Sequence, residues 1–460
     1  MDQAQTVPTW RELGATGQLG KFTLLCLGVW LHAADSLLTA TVMPAAVAEI
    51  GGVTLINWAL ALYQLGSILA AAVTGGITAR IGLRGGLASA ALLYALGCVA
   101  SAVAPEIGTM LIGRLLQGLG GGGMMALVYV AICESFAERF WARLMVVAST
   151  IWGGSALVGP LIGGLFAEAG LWRWAFWAFA GQAVIVLVAA GFQPGRRNGA
   201  VPGGASPHLL LLVAGTIGIA AAGALVGTAW PVPLGLGGLA LLYVFARLDA
   251  RQRDRLLPAG LLDRHNPVAS GLLMVFALSA ATMPFGVYGP LLLGLLFGIG
   301  PLVAGYLLAI EAIAWTLASI VTSGVAVRAE SGLIRAGAGM IALGALGYVV
   351  AVPAGSIPGI LCCLIAQGAG FGMAKAYMVK RIVAAVPEGE RGAAAGSVST
   401  MQMIGYAVGS SASGIAANAA GLAAGVTQAA AHDAALWLFA AFVPLGLVGV
   451  LAARRLTRVR

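Results

Sequence analysis

The sequence has 460 residues, of which 60% are hydrophobic and 9% are charged, and its formal net charge is +9. Ordinary soluble domains are about 25% charged, so a soluble fold of this length would lack the charge to solvate its own surface. The positive charge alone would suggest nucleic-acid binding, but no basic face with interleaved aromatic residues is visible, and we exclude that class.

Apolar stretches long enough to cross a bilayer, about 20 residues each, recur along the whole chain and predict fourteen transmembrane spans. The seventh and eighth are separated only by the short segment 228–233, which overlaps the start of the eighth. If those two formed a re-entrant or interfacial unit, the count would be twelve. In chain order the predicted spans are 22–44, 53–74, 85–104, 108–132, 143–167, 172–192, 209–227, 230–246, 268–290, 299–323, 332–352, 356–379, 392–418 and 433–453.

The basic residues predict how these spans are threaded, because Lys and Arg collect in cytoplasmic loops. With the N-terminus inside, 22 of the 25 Lys and Arg fall on the inner side. Of the other three, Arg173 lies in an outer loop, and Arg114 and Lys375 lie within spans. We therefore predict a multi-pass protein of a bacterial-type inner (plasma) membrane with both termini in the cytoplasm. The first apolar run is too long for a cleavable signal peptide.

An internal resemblance predicts two related halves. The run Gln117-Gly118-Leu119-Gly120 in span four has a counterpart, Gln367-Gly368-Ala369-Gly370, in span twelve. Weak internal repeats of this kind are typical of membrane folds built from two bundles. We predict an all-α membrane protein with a six-helix bundle in 1–192, an inserted transmembrane pair with its linkers in 193–267, and a second six-helix bundle in 268–460.

Several motifs occur in order along the spans. Asp35 stands nine residues before Pro44 in span one, and Gly75-Gly76-Ile77-Thr78-Ala79-Arg80-Ile81-Gly82-Leu83-Arg84 joins spans two and three. Span four carries Arg114-Leu115-Leu116-Gln117-Gly118, and span five carries Gly159-Pro160-Leu161-Ile162-Gly163-Gly164. Together these motifs resemble the major facilitator superfamily, in particular its fourteen-helix drug:proton antiporter branch, over nearly the whole chain.

The resemblance implies a major facilitator fold and proton-coupled export of lipophilic or cationic compounds by alternating access, as in multidrug efflux. It also implies a monomer in the lipid bilayer whose partners are a small substrate and protons, with the proton gradient in place of a cofactor. The motif loop of the family carries an acid where this chain has Ala79. The residues to which the resemblance gives a gating role are Gly75, Arg80, Gly82, Arg84, Gly159, Pro160, Gly163 and Gly164.

Charged side chains inside a bilayer cost at least about 2.5–3.5 kcal/mol each and are hypotheses of function by default. Four stand out here: Asp35, Arg114, Glu311 and Lys375. Asp35 and Arg114 lie at similar depth, so we expect them to meet. An arginine favours the ionised carboxylate and burial disfavours it, so a change of access would let Asp35 take up a proton outside and release it inside. The alternative is a static pair that holds the first bundle together.

Glu311 has no charged neighbour in the sequence, and two interpretations are open. It either meets a cationic substrate or forms a structural bridge with Lys375, which is also close enough to Lys380 to extend toward the cytoplasmic interface. Polar and aromatic residues within the spans are predicted to line a substrate cavity, or else to form hydrogen bonds between helices. The main candidates are His32, Gln64, Gln117, Trp152, Trp315, Tyr377 and Gln402.

Two other functions remain open at this stage: a lipid or metabolite exporter with weak or no proton coupling, and a non-transporting membrane sensor, which Ala79 favours. No nucleotide-binding loop or catalytic triad spacing occurs, so we do not expect an enzyme. The cysteines lie in or at the ends of spans and lack metal-site spacing.

Overall fold

The computed structural model describes residue 12 and residues 18–136, 138–192, 208–225, 230–252, 266–323, 325–387, 391–424 and 427–458. Within these residues the fold is helical and has no strand. The helices are α1 Leu19–Ile50, α2 Ile56–Ala102, α3 Ile107–Ser135, α4 Glu138–Glu168, α5 Trp172–Gly191, α6 Leu209–Ala224, α7 Pro231–Asp249, α8 Pro267–Phe297, α9 Pro301–Val321, α10 Val327–Ala351, α11 Ile357–Ala384, α12 Arg391–Ala417 and α13 Gln428–Arg458.

Helix α2 contains two predicted spans in one element. The sequence predicts a loop between spans two and three, but the helix continues to a sharp kink at Gly82, which has φ 74° and ψ 169°. A positive φ is readily accessible only to glycine, so this residue allows the chain to reverse without a longer loop. The end of the bundle that contains this kink is called the Gly82 end, and the opposite end the Gly51 end.

With α2 counted as two arms, the described residues form fourteen helical segments, and twelve of these are long and apolar enough to cross a membrane. The protein is therefore a multi-pass membrane protein. The two segments outside this set are α6, which has 16 residues, and α12, which is rich in serine and glycine. The count of fourteen crossings stays a prediction.

Glycines determine how closely α3 packs on the first arm of α2. A Cβ atom at Gly118 would overlap the carbonyl of Tyr63, and one at Gly122 would overlap the backbone of Ser67. Small residues four positions apart allow two membrane helices to approach at backbone distance. The two helices therefore touch along a stripe that only glycine permits.

The C-terminal half repeats this contact. A Cβ atom at Gly368 would overlap the carbonyl of Glu311, and one at Gly372 would overlap the carbonyl of Trp315. Helix α11 thus packs on α9 as α3 packs on the first arm of α2. The internal resemblance in the sequence therefore reflects a repeated helix contact.

Helices α6 and α7 pack against each other, and α6 also packs against α12. A Cβ atom at Gly238 would lie 2.5 Å from the Gly215 carbonyl oxygen, so the two helices are in close contact. At the Gly82 end, His208 Nε2 lies 3.0 Å from Asp249 Oδ1. The division into two bundles and an inserted pair at 193 and 267 stays a prediction.

Candidate functional site: a buried ion pair and a lysine cluster

The first site is an ion pair in the centre of the N-terminal half, formed by α1–α5. Arg114 Nη1 of α3 lies 2.8 Å from Asp35 Oδ1 of α1, and both residues are fully buried. The sequence predicted that these two residues lie at similar depth in the membrane and meet, and the structure contains this contact. Breaking such a pair by removal of one partner leaves an uncompensated buried charge, at a cost of about 3–5 kcal/mol.

Neutral groups surround Arg114 on its other sides. Its Nη1 also donates to Gln117 Oε1, its Nε lies 3.4 Å from the Ala59 carbonyl oxygen, and its guanidinium lies 4.4 Å from the centre of the Tyr63 ring. Among the described residues, Asp35 Oδ2 and Arg114 Nη2 have no hydrogen-bond partner. The pair is therefore held by one contact rather than by a bidentate one, and one carboxylate oxygen is left unpartnered.

Next to this pair, His32 forms an aromatic cluster. Its Nδ1 lies 2.9 Å from the Tyr63 hydroxyl, its ring stacks on the Tyr63 ring at 5.5 Å, and Trp152 of α4 contacts it edge-on at 5.9 Å. The side chain is 1% exposed. The same Tyr63 therefore contacts both His32 and Arg114, and it links this cluster to the ion pair.

Two residues predicted to line a cavity are buried in this conformation, and their place in a substrate cavity stays a prediction. His32 is enclosed by Tyr63 and Trp152, and Gln117 is fully buried, where its Nε2 donates to Cys98 Sγ at 3.2 Å. His32 therefore faces α2 and α4, and Gln117 faces the second arm of α2. Gln64 is also buried, whereas Trp152 is half-buried.

The second site is a cluster around Lys375 in the C-terminal half, formed by α8–α13. Lys375 Nζ of α11 donates to Gln402 Oε1 of α12 at 2.9 Å and lies 5.0 Å from the centre of the Trp315 ring of α9. Gln402 Nε2 donates to the Tyr406 hydroxyl at 2.7 Å. Phe371 stacks on Trp315 at 4.9 Å with an angle of 9° between the rings. Three candidates that the sequence treats separately thus form one cluster.

Glu311 and Lys375 do not form the structural bridge that the sequence left open. Among the described residues, no carboxylate lies within ion-pair distance of Lys375, whose partners are an amide and a ring. Glu311 is half-buried on α9, one turn before Trp315. Tyr377 donates its hydroxyl to the Thr322 carbonyl and so ties α11 to the end of α9.

The glycine motif of α4, residues 159–164, allows α4 to pack closely against α1. A Cβ atom at Gly159 would lie 2.8 Å from the Ala34 carbonyl oxygen, and one at Gly163 would overlap the Thr41 hydroxyl. Pro160 lies between these two glycines in the helix. The motif thus holds α4 directly behind the segment of α1 that carries Asp35.

The same motif also contacts the C-terminal half. A Cβ atom at Gly164 would lie 2.5 Å from Leu302 Cα of α9, and one at Gly305 of α9 would lie 2.9 Å from Pro160 Cβ. One further contact lies beyond the motif, where Glu168 Oε1 accepts from the Leu302 N–H at 3.3 Å. A carboxylate at the first turn of a helix is favourable, so Glu168 of one half caps a helix of the other.

A second contact between the halves closes the Gly51 end. Ser410 of α12 donates to the Asn57 carbonyl at 2.8 Å, and Asn418 Nδ2 donates to the Thr54 carbonyl at 2.8 Å. A Cβ atom at Gly414 would overlap the Asn57 side chain. Together with the contact between α4 and α9, these bonds hold the two halves together at the Gly51 end.

The predicted gating residues of α2 lie at the opposite end. Arg80 and Arg84 are exposed on either side of the kink at Gly82. Gly75 and Ala79 belong to the first arm of α2, and their burial and contacts are outside what the structure describes.

Sequence reasoning missed Phe371, Tyr406 and Glu168. Two of them carry a signal that periodicity reveals, since Phe371 stands four residues before Lys375 and Tyr406 four after Gln402. Residues at that spacing share one helix face. Glu168 has no such signal, because its partner is the start of a helix far along the chain.

The sequence matches the model of the Major Facilitator Superfamily over residues 25–410. The chain belongs to the Major Facilitator Superfamily. It is 31% identical to the "Probable multidrug-efflux transporter Rv1634" of Mycobacterium tuberculosis, over 99% of this chain and 98% of the relative. It is 29% identical to the "Puromycin resistance protein pur8" of Streptomyces alboniger, over 66% of this chain and 63% of the relative.

Solved structures show the same fold at low identity. The crystal structure of a D-xylose-proton symporter aligns with a TM-score of 0.65 and 18% identity, covering 95% of this chain and 97% of that one. A peptide transporter POT in complex with sulfate aligns with a TM-score of 0.67 and 14% identity, covering 95% of each chain. These similarities support the all-helical major facilitator fold.

Membership in this family makes the protein a membrane transporter of small molecules rather than an enzyme. Transporters of this superfamily generally need no cofactor. The two charged clusters are therefore candidate sites for substrate or for a coupling ion.

Proposed function

We propose that this protein is a proton-coupled exporter of lipophilic or cationic compounds that works by alternating access, as in the fourteen-helix drug:proton antiporter branch. The observation that carries the proposal is the buried contact between Asp35 and Arg114. Intramembrane charges are costly, so a pair placed there without full hydrogen bonding is more easily explained by function than by stability.

The geometry of the pair suits a reversible proton site. Asp35 Oδ2 has no hydrogen-bond partner among the described residues, so a proton on that oxygen displaces no existing bond. Protonation would neutralise the carboxylate and leave Arg114 with Gln117, Ala59 and Tyr63. The two protonation states thus differ in how firmly α1 is held to α3, which is what coupling to a conformational change requires.

The charge distribution supports an orientation with both termini in the cytoplasm. The Gly51 end then faces outward and the Gly82 end faces the cytoplasm. Contacts of Glu168 and Asn57 close the outward end in this conformation. A transporter closed on the outside is in the orientation that loads substrate from the cytoplasm, as an exporter requires.

The names of the relatives support export of toxic compounds, since one is called a multidrug-efflux transporter and another a resistance protein. In the C-terminal half, Glu311 supplies an acid for cationic substrates, and Trp315 supplies an aromatic surface for lipophilic ones.

The test uses inside-out membrane vesicles with an acidic lumen and a pH-sensitive dye. We expect lipophilic cations to dissipate the proton gradient in vesicles that contain the protein, because each exchange moves protons out of the lumen. Vesicles without the protein are the control. No dissipation across a broad panel of cationic and neutral compounds would contradict proton-coupled export.

Substitution of Glu311 by Gln is expected to impair transport of cationic substrates selectively. The change removes a negative charge from a half-buried position, and a partly desolvated charge contact of about 1.4 kcal/mol corresponds to a tenfold change in affinity. Apparent affinities for paired cationic and neutral substrates measure the effect. Glu106→Gln, at an exposed turn before α3, is the control, and an unchanged ratio in E311Q would show that Glu311 is structural.

A further inference from the structure

Lys375 is a cation within a predicted span whose neighbours are neutral. Its ammonium lies against the Trp315 ring and the Gln402 amide oxygen, and no carboxylate in the described part of the chain pairs with it. A structural lysine in a membrane is ordinarily paired with an acid or with backbone carbonyls. An aromatic face and an amide oxygen are instead the groups with which proteins recognise organic ammonium ions.

Neighbouring contacts hold these recognition groups in place. Phe371 stacks parallel to Trp315 and limits the rotation of its ring. Tyr406 accepts from Gln402 Nε2, which directs the amide oxygen of Gln402 toward Lys375. The ammonium therefore occupies a site that is built from α9, α11 and α12.

We propose that the Trp315 face and the Gln402 amide oxygen form a binding site for the ammonium group of a substrate, and that Lys375 occupies this site as a tethered competitor until the substrate displaces it. The two cations exclude each other, because both would lie over the same ring face and against the same amide oxygen. Lys375 thereby lowers the affinity of the site and promotes release.

Glu311 explains why a substrate cation would displace Lys375 from this site. It stands four residues before Trp315 on α9, so both side chains lie on one face of that helix. A substrate ammonium is not tethered to α11 as Lys375 is, so on this face it is free to approach the Glu311 carboxylate more closely than Lys375 does. Lys375 itself makes no ion pair with Glu311 among the described residues, so displacing it breaks no salt bridge.

The inference rests on the proposed function only in that it takes the ammonium compound to be a substrate, and its test measures binding without a proton gradient. The chain has three lysines, Lys21, Lys375 and Lys380, which allows an amine-acylating reagent to be followed at each one by mass spectrometry. The probe is the trimethylammonium derivative of diphenylhexatriene, and uncharged diphenylhexatriene is its matched control, both added to the purified full-length protein in nanodiscs.

We expect the cationic probe to increase the acylation rate of Lys375 several-fold by displacing its ammonium, while Lys380, which pairs with Glu330 at the Gly82 end, is unchanged. The uncharged probe should have no effect. Trp315→Leu should abolish the increase. Protection of Lys375 by the probe, or an unchanged rate, would overturn the proposal.

Lys375→Met gives a second measurement. It removes the tethered cation and keeps a flexible apolar side chain, so the dissociation constant of the cationic probe should fall by about tenfold. Lys375→Arg keeps the competitor and should bind like the wild type, as should Arg335→Met, which removes an exposed cation from α10. Equal or weaker binding in K375M would overturn the proposal. Displacement without any proton coupling in vesicles would contradict the proposed function and leave this site intact.

Discussion

Asp35→Asn is expected to reduce proton-coupled transport to the level of vesicles without the protein. Asparagine has nearly the same shape as aspartate, and its oxygen still accepts from Arg114 Nη1, which lies 2.8 Å from Asp35 Oδ1. Its amide does not titrate, so the variant is fixed in a neutral form that resembles protonated Asp35 and cannot alternate between the two states. Dissipation of a proton gradient by added substrate in inside-out vesicles measures the loss.

Binding separates this outcome from misfolding. The D35N protein should still bind the cationic probe at the Lys375 cluster, because that cluster lies in the other half of the chain. Glu49→Gln is the control on the same helix, since Glu49 is an acid at the Gly51 end that contacts Arg173 and Trp172. Full coupled transport by D35N would exclude Asp35 as the proton site.

Gly118→Ala is expected to lower the stability of the helix bundle. Its Cβ atom would overlap the Tyr63 carbonyl, which is backbone and has no rotamer to change. The helices α2 and α3 must therefore separate, and overpacking of this kind typically costs about 1–3 kcal/mol. Since the Tyr63 ring lies against Arg114, the shift would also disturb the ion pair. The thermal unfolding midpoint of the purified protein measures the effect.

Gly181→Ala in α5 is the matched control, because a Cβ atom there meets nothing within 4 Å. Alanine favours a helix over glycine by about 1 kcal/mol in soluble hosts, so this variant should be at least as stable as the wild type. Gly368→Ala, at the equivalent position against Glu311, should lose stability as G118A does. Equal thermal unfolding midpoints for G118A and G181A would contradict the backbone contact between α2 and α3.

The two halves have the same packing of glycine-bearing helices but carry different charged groups. In the N-terminal half Arg114 stands four residues before Gly118, and in the C-terminal half the equivalent position before Gly368 is Leu364, which is fully buried. The ion pair therefore belongs to one half and the lysine cluster to the other. This division suits a transporter in which proton and substrate bind at different places and communicate through the contacts between halves.

The sequence by itself determined the class of the molecule and the depth of its charges. The membrane embedding follows from composition, and the meeting of Asp35 and Arg114 follows from the fixed rise of a helix, since both stand at known distances from the ends of their spans. The motifs placed the chain in its family, and the matching glycine runs at Gly118 and Gly368 indicated the internal repeat.

Only the tertiary structure decided which side chains are neighbours across helices. In the fold, His32 and Gln117 are buried, and Lys375 bonds to Gln402 rather than to Glu311. Glu168 lies at the start of α9. A helix that is apolar on all sides carries no periodic signal for its orientation about its own axis. That orientation is set by close packing at positions such as Gly118 and Gly368, and it determines the surroundings of every charge in the bundle.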